Sequence, residues 1–300
     1  MGSMRRFRCN FVVMLLVRRT MIVLLLAAVF LAGCSGEYRP TVLPADVDKL
    51  FEVHPAAASP DANTVWIFAQ GGPSHDISND VLLLFLQLPD REEIHLVQAH
   101  QTLTLNPRLA ARHPRLSLDD LQAEVDVSVE LLRRVIDHFG ARDKRVVVVG
   151  YSYGSWLVAR YLALHGPDGA DRYVLLAGRL DMPREFVGGA LRKGMLYYFP
   201  NATEPAPTAR RPTTDEEWIE LLIAGATFHD RYTERLAGTD LSRAIYAYAT
   251  ADTVVGRLSE AEIRFLEESG ATVIAGEGAN HVSLAFNQDV LARIRAALEE

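Results

Sequence analysis

The sequence predicts an α/β fold with a mostly parallel central sheet, helices on both faces and a helical cap inserted into the sheet order. Three observations carry this. Short apolar runs, valine-rich in places, lack polar alternation, as strands covered on both faces do. Amphipathic helical patterns lie between or after them. One stretch, 181–240, breaks the alternation with five prolines (Pro183, Pro200, Pro205, Pro207, Pro212) and a helical pattern near Asp215 to Ala226. Composition agrees with the architecture. The 300 residues are 49% apolar and 23% charged, which excludes a disordered chain, a collagen-like fibre and a polytopic membrane protein. A net charge of −7 argues against a general nucleic-acid-binding role. Both cysteines, Cys9 and Cys34, fall at the start, so a disulfide scaffold and a thiolate metal site in the body are excluded.

The first 33 residues read as a signal. Arg5, Arg6, Arg8, Arg18 and Arg19 precede an apolar run from Met21 to Ala32, which is too short to span a bilayer comfortably. The run ends in Leu31-Ala32-Gly33-Cys34, which resembles the lipobox of bacterial lipoproteins. That resemblance implies cleavage before Cys34, lipidation of its thiol and attachment to a membrane of the bacterial cell envelope by acyl chains. Residues 34–61 then read as a lipidated tether.

The body divides into a core (62–180), the cap (181–240) and the rest of the core (241–300). Thr64 to Gln70 is an apolar strand that runs into Gly71-Gly72-Pro73, and Ile94 to Gln98 is a second. Ser117 and Asp120 open a helix. Its apolar residues, Leu118 to Phe139, recur at three and four, and Gly140 stops it. Arg145 to Gly150, Arg172 to Leu176 and Ala244 to Ala249 are central strands, and Ala271 to Ala275 is a weaker one. Helices are expected at 153–165, 259–268 and 284–298. Tyr197, Tyr198, Phe199, Phe228 and Tyr232 either line an apolar pocket or form the cap's own core.

Gly150-Tyr151-Ser152-Tyr153-Gly154 is a G-x-S-x-G motif between a strand and a helix, the setting of a nucleophile elbow. So tight a turn leaves no room for side chains two positions either side of the serine. A serine hydroxyl needs an adjacent base, and the base an acid to orient it. His281, in the glycine-rich loop after the last strand, is the candidate base. Asp252, 100 residues after Ser152 and 29 before His281, follows the penultimate strand and is the candidate acid. Asp181, after the strand before the cap, is the alternative. The oxyanion needs two N–H donors. Tyr153, next after the serine, supplies one, and the Gln70–Pro73 loop the other, with Gly72 the first choice and Gly71 the second. No metal-ligand spacing and no nucleotide-binding glycine loop occurs, so neither a metal nor a cofactor is expected.

In this order the pieces resemble the α/β-hydrolase fold over 64–298. More locally, Gly71-Gly72-Pro73 is similar to the H-G-G-P-G loop of the proline iminopeptidase family. Gly150, Ser152, Gly154, Ser155, Leu157, Tyr161 and His165 fall on that family's elbow pattern. Gln70 replaces the loop histidine and Ser74 the last glycine. The resemblance implies cap acids that hold a substrate amine, with Glu216 and Glu217 as candidates, although acids on a solvated helix face are commoner. The expected activity is hydrolysis of an acyl bond in a small-molecule substrate, most simply a carboxylic ester. Aminopeptidase action, acyl transfer and a non-catalytic binding lipoprotein are the rivals.

Overall fold

The valine run builds the centre of the sheet. In the computed structural model, which describes residues 38–78 and 93–300, strand β4 (Arg145–Tyr151) has every residue after the first buried. Trp66, Phe68, Val147 and Val149 join Val290, Leu291 and Ile294 of the last helix in one apolar cluster. The intervening Val65, Ile67, Val146 and Val148 point to the opposite face by strand alternation and are equally buried. Each such side chain contributes roughly 1.5–3 kcal/mol by leaving water. Alternation of polar and apolar residues is absent because neither face meets solvent.

Six strands run parallel: β2 (Thr64–Ala69), β3 (Ile94–Ala99), β4, β5 (Arg172–Leu176), β8 (Ala244–Ala249) and β9 (Thr272–Gly276). With β1 (Phe51–Ala58), antiparallel to β3 at the edge, the order is β1-β3-β2-β4-β5-β8-β9. The α/β-hydrolase fold expected from the sequence is thus the fold observed. Residues 1–33, read above as a signal, and Cys34 lie outside the described residues. No helix among the described residues is long and apolar enough to cross a membrane.

Two expectations need correction. The stretch read as tether, 34–61, contains β1. Its sequence, FEVHPAAA, holds a proline and its register shifts between Val53 and Ala58, both features that an edge strand tolerates. The cap, expected without strands, holds a pair of two-residue strands, β6 (Tyr197–Tyr198) and β7 (Ala206–Pro207). Two residues carry no readable period.

Besides short α1 (Thr102–Leu105), the helices are α2 (Leu118–Gly140), α3 (Tyr153–His165), α4 (Arg184–Lys193), α5 (Asp215–Thr227), α6 (Tyr232–Arg235), α7 (Glu260–Glu268) and α8 (Gln288–Glu299). Helix α2 starts in a capping box. The Asp120 N–H donates to Ser117 Oγ, and the Ser117 N–H returns a bond to Asp120 Oδ2 at 2.8 Å. Gly140 is its last helical residue rather than the one beyond it. Helix α8 begins at Gln288, later than expected, because Asn287 Oδ1 accepts from the Asp289 and Val290 N–H groups and starts a new helix after the 3-10 turn Ser283–Phe286. Within the cap, Phe199, Phe228 and Tyr232 are core, whereas Tyr198 is exposed.

Candidate active site

Strand β4 ends against helix α3 with one residue between them, Ser152, at φ 50° and ψ −119°. Positive φ in a residue with a Cβ is strained, and it survives only where neighbours hold it. They do so here. The Ser152 N–H donates to the Leu176 carbonyl at 2.8 Å, and Ser155 Oγ donates to Gly150 O and Leu176 O at 2.9 and 2.7 Å. A Cβ on Gly150 would stand 2.5 Å from Gly154 O, and one on Gly154 would overlap the Ala69 carbonyl. The two glycines are therefore required by the turn.

His281 reaches this serine from the loop after β9. Its Nε2 lies 2.9 Å from Ser152 Oγ and its Nδ1 lies 2.7 Å from Asp252 Oδ2. The other Asp252 oxygen accepts from the N–H groups of Val254 and Val255 at 2.8 and 3.0 Å. Asp252 is 1% exposed, so its carboxylate is aimed by three partner atoms and not by water. A carboxylate on Nδ1 sets the tautomer that leaves Nε2 as acceptor towards the hydroxyl. The alternative acid, Asp181, is held elsewhere: it accepts from Arg231 Nη2 at 2.8 Å and from Thr233 Oγ1 at 2.6 Å.

The turn after β2 faces the elbow. A Cβ on Gly71 would lie 3.4 Å from Ser152 Cβ, so Gly71 packs directly beside the serine. Gly72 follows at φ 131°, a value that suits glycine, and its own missing Cβ would strike Ser74 N. Tyr153 begins α3, where backbone N–H groups have no partner within the helix. These N–H groups belong to the two segments that flank Ser152.

A glutamine cluster supports the turn, and sequence reasoning missed it. Gln70 Oε1 accepts from Gln98 Nε2 at 2.5 Å and from the Ser78 N–H at 2.8 Å, while Gln70 Nε2 donates to Asp76 O at 2.8 Å. Gln101 Nε2 donates to the Gln70 carbonyl at 2.9 Å, and Gln101 Oε1 accepts from the Ser74 N–H at 3.3 Å. All three side chains are about fully buried, at 1% exposure. Gln98 and Gln101, polar residues at the end of an apolar strand, were the available signal.

The cap acids lie in the first turn of α5. Glu217 spends its carboxylate on Thr213 N–H, Thr213 Oγ1 and Arg210 Nη2, and both it and Glu216 are held below the usual carboxylate range, first by hydrogen bonds at the start of α5. Among the described residues no cluster of three or more His, Cys, Asp or Glu could hold a metal.

Residues 98–294 match the model of the alpha/beta hydrolase family. The chain belongs to that family. No curated protein sequence matches this hydrolase. Among solved structures, it is similar to a lipase-esterase related protein from Clostridium acetobutylicum ATCC 824. Identity is 13%, coverage is 83% of this chain and 98% of that one, and the TM-score is 0.53. It is also similar to DcsB, solved in complex with its substrate analogue, at 13% identity, 83% and 98% coverage and a TM-score of 0.50. At such identity these likenesses concern the hydrolase's fold.

Proposed function

We propose that this hydrolase cleaves a carboxylic ester of a small or medium apolar acyl group through an acyl-enzyme on Ser152. The observation that carries the reading is the unbroken hydrogen-bond chain Ser152 Oγ, His281 Nε2, His281 Nδ1, Asp252 Oδ2. In the mechanism, Ser152 Oγ attacks the carbonyl while His281 Nε2 takes its proton. Asp252 stabilises the imidazolium. The N–H groups of Tyr153 and of Gly72 or Gly71 hold the oxyanion, which develops in a site already oriented to receive it. His281 returns the proton to the leaving alcohol. Water, deprotonated by His281, then releases the acid.

The aminopeptidase reading needs a free carboxylate for the substrate amine, and Glu217 is committed to the start of α5. A purely binding lipoprotein needs neither the strained serine nor its aligned base. We also propose that Cys34 carries acyl chains that attach the chain to the cell envelope; Leu31-Ala32-Gly33-Cys34 supports this.

The test is labelling of the detergent-extracted full chain with a fluorophosphonate, beside Ser152→Ala. Labelling that is lost in the variant, with folding unchanged, is expected. Folded wild type that fails to label would remove the serine-hydrolase assignment.

A further inference from the structure

Tyr151 is the residue immediately before Ser152, and its side chain touches both other parts of the site. Its hydroxyl donates to the carbonyl oxygen of His281 at 3.1 Å. Its ring lies 5.5 Å from the imidazole, centroid to centroid, at an interplanar angle of 47°. On another side, the ring fills the space that a Gly71 side chain would take: a Cβ there would stand 3.3 Å from Tyr151 Cδ1. Tyr151 is 8% exposed. One rigid side chain therefore spans the elbow, the turn after β2 and the histidine loop.

Around the histidine the loop is tied by other bonds: the Ala251 N–H donates to Ala279 O at 3.0 Å, the Gly278 N–H to Thr250 Oγ1 at 2.9 Å and the Leu284 N–H to Asn280 O at 3.0 Å. At His281 itself, Asp252 aims the imidazole and Tyr151 holds the carbonyl. An imidazole held only at Nδ1 can swing about that contact and carry Nε2 away from the serine. A second anchor on the same residue's carbonyl removes this freedom.

We propose that Tyr151 is a positioning residue that locks the His281 loop and the Gly71 turn to the elbow, fixing the Nε2-to-Oγ distance and the oxyanion cradle together. This rests on the serine-hydrolase reading above. The hydroxyl remains a donor throughout the working range, because burial, and then the Asp252 charge, push its pKa up to about 12. Phenylalanine would fill the same space yet leave the His281 carbonyl without its donor. Leucine would also vacate the space against Gly71.

The experiment uses the full chain in detergent, as wild type, Tyr151→Phe, Tyr151→Leu and Ser152→Ala. The rate of fluorophosphonate labelling and kcat and KM on a p-nitrophenyl ester are measured, with the low-field proton resonance of the His281 Nδ1–H to Asp252 bond. Tyr151→Phe is expected to lower kcat and the labelling rate roughly tenfold. KM should hold, Tm should fall by only a few degrees, and the low-field resonance should broaden or shift. Tyr151→Leu is expected to lower kcat further. A merely structural tyrosine would change Tm and leave the resonance alone. If wild type labels and Tyr151→Phe labels equally fast with an unaltered resonance, positioning by Tyr151 is overturned while the hydrolase reading stands. If folded wild type does not label, that reading fails, and the resonance still decides Tyr151, since an unaltered signal in Tyr151→Phe rejects the proposal.

Discussion

Asp252 shows how much one buried oxygen decides. Its Oδ2 faces His281 Nδ1, and its Oδ1 is already satisfied by two backbone N–H groups. In Asp252→Asn those two N–H groups keep the amide oxygen on their side, which turns the amide nitrogen, a donor, towards Nδ1. The imidazole then carries its proton on Nε2, the wrong nitrogen for a base. Loss of kcat by about three to four orders of magnitude is expected, with the fold retained, and ester turnover beside a thermal melt checks it. The residues of this chain were legible in the sequence because each sits where topology demands it: a serine between strand and helix, an acid and a histidine after the last two strands. The glutamine cluster and Tyr151 were not. Their roles come from contacts between segments about 30 or more than 100 residues apart, such as Gln70 with Gln101 and Tyr151 with His281, and spacing does not encode those.

The cap is joined to the elbow helix by a buried ion pair. Arg160 of α3 is 4% exposed and is bonded to Asp230, which lies between α5 and α6 and is 8% exposed. Asp126 of α2 pairs with the same guanidinium at 2.7 Å, and Arg235 of α6 reaches Asp230 at 2.8 Å. Removing Asp230 strands a buried cation with a single, half-exposed partner. Such a loss costs about 3–5 kcal/mol in a fully buried pair, and Asp126 keeps Asp230→Ala near the lower end. A Tm lower by several degrees is expected, and calorimetry reads it; an unchanged Tm would mean that water replaces the carboxylate. Thr227 adds a lighter link, its Oγ1 lying 3.4 Å from the Tyr153 hydroxyl. Central strands and long helices were readable as elements because buried runs and three-four periodicity are local properties. Edge strand β1 and the β6–β7 pair were not, since one is defined by its partner β3 and the other is too short to have a period.

Across the whole molecule, tyrosine burial sets an alkaline limit. Tyr151, Tyr153, Tyr161, Tyr173, Tyr232 and Tyr246 are all 8% exposed or less. Burial is the first cause that raises the pKa of each above the ordinary 10.0. A phenol whose pKa is higher folded than unfolded binds more protons in the native state between the two values. Stability therefore falls as pH rises there. The contribution is complete below pH 10 and is lost as pH climbs through the folded values, which for Tyr151 is about 12. Six such groups lose it together, so the chain should unfold cooperatively on the alkaline side. In a phenolate absorbance titration, the buried set should ionise in one steep step that coincides with loss of circular dichroism. Gradual ionisation of the buried set in a still-folded chain would show that water reaches those rings, and the sealed core on which the geometry of Ser152, His281 and Asp252 depends would then have to open without unfolding.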